Sequence, residues 1–293
     1  MRYYFLILLA CSILCVQCIH QRTDNNNSSV PTYLSDHADS LKNLNNIILS
    51  PNEIITELLT GTKWLNTDIV NPKTNSVKYI NTNREAINLG VYIADFAYLN
   101  FSENRTNALD YFKVIRDLAQ KNDIYGCFDA IIFDRIQNNL ANRDSLVLIS
   151  QEMYYHMSDI LENSNRPKVN AFISSGALVE SLYLTVMNIS KYSDNEPLVK
   201  KLFEQEQLVQ SLNSFISTFK NDPDSKTICE QINSLKIIMD QAERKYTKRK
   251  VTRDKNNHFD VKGGEDRKVT EILFNEFKNK VILIRNDMVN VSN

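Results

Sequence analysis

Glycine and proline are scarce in this chain, six of each among 293 residues, roughly a third of the usual share. Both interrupt helices, so their scarcity argues against a turn-rich β fold and favours long uninterrupted helices. Histidine is scarcer still: His20, His37, His156 and His258 lie far apart, which argues against a His-rich metal centre. The sequence has no Gly-rich phosphate loop, no CxxC pair, no HExxH and no GxSxG. It also lacks an excess of positive charge, with a net charge of −1, so nucleic acid is not an expected partner. No cofactor is implied by any of these patterns.

What is present begins with cysteine in an unusual place. Three of the five cysteines fall within the first eighteen residues, at Cys11, Cys15 and Cys18. Tyr3 to Val16 is an apolar run behind the single positive charge of Arg2. It suits a signal-peptide core and falls short of the ~20 residues that span a bilayer. A cysteine closing such a run can accept a diacylglycerol, after which cleavage just before it leaves an acylated N-terminus. Leu8-Leu9-Ala10 ahead of Cys11 suits that processing locally but leaves a short apolar run. Cys15 follows Leu14, a poorer fit. Cys18 has the right run length and is followed by a polar, Asn-rich stretch, so lipidation is expected at Cys18. An uncleaved anchor and a plain secretory signal are the alternatives.

The domain organisation expected is a signal over residues 1–17, a lipidated cysteine and polar tether over 18–36, and one helical domain over 37–293. Ile19 is not the Asp that in enteric lipoproteins favours retention in the inner membrane. The start of the tether, His20-Gln21-Arg22-Thr23, lacks the acidic run of surface-exported lipoproteins. Both point to the outer membrane, facing the periplasm, with the lipid as membrane contact and an envelope protein as the expected partner. Six N-x-S/T triplets are present, no more than the Asn, Ser and Thr content yields by chance.

Within the expected domain, Ser50-Pro51-Asn52-Glu53 has the form of a capping box with proline at the first helical position, and Gly61 supplies a stop. Residues 62–81, with Pro72 and Trp64, have the character of a long ordered connection. Helical periodicity then predicts helices over 83–100, 105–121, 127–141, 144–163, 166–190, 195–220, 225–247 and 267–290. Ile228, Ile232, Leu235, Met239, Ala242 and Tyr246 step by four and three, and Pro223 sits in the turn before them. The fold class expected is all-α, a bundle of antiparallel hairpins of about eight to ten helices.

The residues with the most chemical promise are two acids inside apolar windows. Asp95 lies in INLGVYIADFAYL and Glu180 in FISSGALVESLYLTVM. A buried carboxylate must find a partner, reach solvent in a cleft, or hold a proton. Gly90 and Gly176 lie nearby, where small residues permit close helix approach or leave room for a ligand. Tyr92, Tyr98 and Tyr183 supply hydroxyls and Arg143 is a candidate counter-ion. These six residues form either a buried polar network or the wall of a ligand cleft, and in the second case Asp95 and Glu180 could serve as paired carboxylates of a hydrolase. Three further features have plainer readings. Glu152, His156 and Asp159 share a helix face that suits a metal less well than it suits solvent. Cys127 and Cys229 sit in apolar helical contexts, as core thiols or as a pair. Arg244 to Lys255 is strongly basic, read as a helix C-terminus running into a solvated loop, with lipid headgroups or an anionic partner as the alternative.

ILSPNEI, AINLGVYIADFAYL, NNLANRDSL and GALVESLYL, in that order, resemble a family of helical lipoproteins of Bacteroidota across residues 48–190. The chain departs from that family at Ala177-Leu178, where an aromatic such as Trp is usual. The resemblance implies an all-α fold and an envelope location, and it implies no activity.

Overall fold

The computed structural model describes residues 49–62, 65–102, 105–253 and 259–290. The expected signal, its cysteines and the tether lie outside them. Over the described residues the chain forms α1 (Pro51–Leu59), α2 (Thr82–Phe101), α3 (Arg105–Lys121), α4 (Ala130–Asn138), α5 (Arg143–Asn163), α6 (Pro167–Met187), α7 (Glu196–Glu204), α8 (Glu206–Ser217), α9 (Pro223–Met239), β1 (Glu243–Arg253), β2 (Phe259–Lys268) and α10 (Glu271–Val289). Between α1 and α2 the connection carries two 3-10 turns, Thr67–Ile69 and Lys73–Lys78. The fold is an all-α multi-helix bundle with one added β-hairpin.

Local chemistry explains most of the boundaries. Pro51, Pro167, Pro197 and Pro223 each sit in the first turn of a helix, where a missing N–H leaves no bond unmade. Ser50 and Glu53 make the expected capping box: Ser50 Oγ accepts the Glu53 N–H, and the Glu53 carboxylate accepts the Ser50 N–H at 2.8 Å. Asn81, Asp129, Asn142, Asp222 and Thr270 cap five further helices with their side-chain oxygens.

The centre is built on α2 and α6. Contacts advance in the same direction along both, from Gly90 near Ile173 and Gly176 near Ile87, to Asp95 beside Glu180, to Tyr98 with Asn188. The two helices therefore run parallel, with α3 to α5 as the long return. Their glycines are the reason they can come so close. A Cβ on Gly90 would lie 1.9 Å from the Ile173 carbonyl oxygen, and one on Gly176 would lie 1.9 Å from that of Ile87. α10 runs antiparallel to α6, since Arg285 meets Glu180 while Lys278 reaches the Ile189 carbonyl. α6 is long and apolar enough to cross a membrane, but 89% of its apolar window is buried inside the bundle, which marks a core helix.

Two stretches depart from the helices expected. The pattern over 195–220 is one continuous stripe, yet it breaks at Gln205 between α7 and α8. The break frees the Phe203 carbonyl, which accepts a hydrogen bond from Arg267 Nη1 at 2.8 Å. The helix predicted over 225–247 ends at Met239, and the basic stretch from Arg244 forms β1 instead of a helix C-terminus and loop. Tyr246, expected on the helical seam, is 71% exposed on that strand.

Candidate functional site

The three central helices each contribute one charged residue to the interior: Asp95 from α2, Glu180 from α6 and Arg285 from α10. Asp95 and Glu180 are 0% exposed and Arg285 is 8% exposed. Arg285 grips Glu180 with two bonds, Nε to Oε2 at 2.9 Å and Nη2 to Oε1 at 3.1 Å. Its guanidinium also lies 4.4 Å from the centre of the Tyr183 ring. Burial opposes the charge of Arg285, but the Glu180 carboxylate outweighs it and raises the guanidinium above its ordinary range.

Asp95 is the surplus acid. Its Oδ2 accepts the Asn71 backbone N–H at 3.2 Å, and its Oδ1 meets no N–H or O–H donor among the described residues. Burial first, and then the negative charge of Glu180, hold the Asp95 carboxyl well above its ordinary value, and Arg285 only partly offsets them. One arginine thus serves two acids, and burial together with the neighbouring Glu180 charge favours the neutral form of the second.

The connection between α1 and α2 seals this cluster as a strap, tied down mainly by tyrosine hydroxyls. Tyr92 donates to the Pro72 carbonyl, Tyr98 to that of Asn66 and Tyr111 to that of Asn71, each at 2.9 Å. Asn71 Nδ2 donates to the Tyr79 hydroxyl at 3.1 Å, and Tyr79 in turn donates to the Val289 carbonyl at 3.1 Å. Burial raises the hydroxyl of Tyr98 to about 12 and those of Tyr79, Tyr92, Tyr111 and Tyr183 above their ordinary value. The hydroxyls of Tyr79, Tyr92, Tyr98 and Tyr111 donate to backbone carbonyls and have no proton to exchange near neutrality.

Of the six residues singled out in the sequence, Asp95, Glu180 and Tyr183 come together around Arg285. Tyr92 and Tyr98 hold the strap. Arg143 does not join them: it opens α5, and its guanidinium stacks 4.2 Å from the centre of the Phe101 ring. Phe101 is six residues beyond Asp95 on α2, about 9 Å along the axis. Arg285 takes the role expected of Arg143, and its signal is of the same kind as that of the acids, a charge inside an apolar window, VILIRNDMV.

A second ionic cluster roots the hairpin on α8. Glu206 Oε2 accepts from Arg267 Nη2 at 2.8 Å and from Arg244 Nη2 at 2.7 Å. Arg267 also reaches Glu265 at 3.0 Å, and Arg244 reaches Asp240 at 3.2 Å. Beside it lies a cleft of about 580 Å³, lined by Tyr192, Glu196, Lys200, Asp266 and Arg267 among others. A smaller and more apolar cleft of about 230 Å³ lies between the N-termini of α2 and α9 and the end of α10, where Ile80, Ile87, Ile228 and Met288 face Arg84 and Gln231. Neither cleft is lined by Asp95 or Glu180.

The remaining candidates take plain roles. Glu152 pairs with Arg135 at the surface at 2.8 Å, and no group of His, Cys, Asp and Glu among the described residues is arranged to hold a metal. Cys127 and Cys229 are free thiols. Burial pushes Cys127 up to about 12, and half-buried Cys229 donates to Asn213 Oδ1 at 3.3 Å. In comparisons with known proteins, no family model, curated protein or solved structure matches the chain.

Proposed function

We propose that the chain is a lipid-anchored bacterial envelope protein, attached to the outer membrane through Cys18 and facing the periplasm, whose helical domain binds or scaffolds a partner. The anchor rests on the apolar run ending at Cys18, the polar stretch behind it and the resemblance to helical lipoproteins. The non-catalytic role rests on one observation: Asp95 and Glu180 are fully buried, Asp95 held by Asn71 of the strap and Glu180 by Arg285. Carboxylates that act on a substrate must touch it, and these have no exposed surface.

Labelling with a radioactive fatty acid tests the anchor. Label should be lost in Cys18→Ser, and loss only in Cys11→Ser would move the site. A rival reading, a hydrolase using Asp95 and Glu180, draws support from the raised Asp95 carboxyl beside a paired carboxylate, a pattern shared with acid–base pairs. A panel of ester, glycoside and peptide substrates separates the two. Turnover by the wild type that disappears in Asp95→Asn would overturn the binding role.

A further inference from the structure

The hairpin is the most one-sided region of charge in the molecule. β1 carries six Lys and Arg against one Glu, in ERKYTKRKVTR. The two strands together hold nine of the 34 basic residues and four of the 35 acidic ones, so the rest of the chain has 25 basic against 31 acidic residues. Its root is tied to the bundle through Arg244 and Arg267 on Glu206 and through Asp266 on Lys200. Beyond it Lys245, Lys248, Tyr246 and Val251 are exposed, the last two at 71% and 60%.

One feature of this ribbon is costly if only water faces it: a two-stranded sheet with no third strand among the described residues is marginal alone. The pairing skips between Thr247 and Lys250, where Gly263 and Gly264 take φ of 86° and 107° and bring β2 close to the Lys248 carbonyl. The glycines thus support a bend in a persistent ribbon, not a frayed end.

From this charge and exposure we infer that the hairpin is a docking arm for an anionic phospholipid surface. Long basic side chains such as Lys245 and Lys248 can reach headgroup phosphates while Tyr246 and Val251 settle at headgroup depth. The acidic remainder of the chain is repelled by the same surface, so the arm approaches first. The assignment to lipid rests on the anchored reading above, since 18 residues after Cys18 can reach at most about 60 Å and keep the domain near its membrane.

Sedimentation of the full-length chain with phosphatidylcholine vesicles, with and without phosphatidylglycerol, tests the arm. The wild type should prefer anionic vesicles at least about tenfold, with the preference shrinking as salt rises. Lys245→Glu/Lys248→Glu/Lys268→Glu should abolish the preference. The milder Gln triple variant should weaken it with helix content by circular dichroism unchanged. Cys18→Ser should keep the preference while losing its fatty-acid label, so failure of the anchor and failure of the arm give different results. Equal binding to both vesicles, a preference untouched in both triple variants, or tighter binding to an oligonucleotide than to anionic vesicles would overturn the inference.

Discussion

Two arginine–glutamate clusters tie elements of this molecule together, and they balance charge in opposite ways. In the centre one arginine, Arg285, faces two acids, and burial favours the neutral form of the surplus acid, Asp95. At the hairpin root two arginines converge on one Glu206 oxygen, and the excess is spread over Glu265 and Asp240 toward solvent. The first is sealed and has only protonation as an outlet. The second opens on a cleft and can draw on water and on neighbouring acids. Burial therefore decides whether surplus charge is neutralised chemically or merely screened.

The sharpest way to break this comparison is Arg285→Met. It strands Glu180 and Asp95 without water, and should cost about 3–5 kcal/mol in urea unfolding at neutral pH. A loss below about 1 kcal/mol would mean the centre admits solvent. Arg267→Met should cost less, about 1.5–3 kcal/mol, because Arg244 still neutralises Glu206 while the Phe203 carbonyl loses its donor. If the two variants cost the same, the contrast between sealed and open clusters fails.

Asp95→Asn probes the proton itself. The folded chain keeps a proton on Asp95 at pH values where the unfolded chain, with the ordinary value of 3.8, has released it. The folded state then binds more protons, so this group makes stability fall as pH rises from that ordinary value toward the raised one. An asparagine has no proton to lose and can still donate to Glu180 and accept from Asn71. It should stabilise the protein by on the order of 1 kcal/mol near neutrality. It should also flatten the pH dependence of the unfolding midpoint, and an unchanged slope would assign the proton elsewhere. Smallest of all is Arg135→Met, which removes the Arg135–Glu152 pair whose side chains are 44% and 60% exposed. It should change stability by no more than about 0.5 kcal/mol.

The same contrast explains what could be read from the sequence. Asp95 and Glu180 stand out because an apolar window makes any carboxylate conspicuous, and helix periodicity places most of the bundle because its apolar stripes are continuous. Arg143 is a plausible counter-ion by residue type alone; Arg285 lies 105 residues from Glu180, and no local pattern joins them. The hairpin escapes because strand-like alternation is brief, near Val251 to Val261, and because the four-and-three stepping from Ile228 runs on through Ala242 into Tyr246. The break at Gln205 is invisible for a related reason. It depends on Arg267, which arrives from 62 positions further on.

α10 follows every other described element in the chain, yet it supplies the only guanidinium in the central cluster and the Val289 carbonyl that anchors Tyr79. Biosynthesis therefore delivers the neutralising group last. Until it emerges, α2 and α6 cannot close on each other without burying two acids that lack their guanidinium. Nascent chains stalled before Glu271 should remain protease-sensitive, while chains extended past Val289 should become resistant. This ordering works as a built-in delay: the lock on the fold is also its timer.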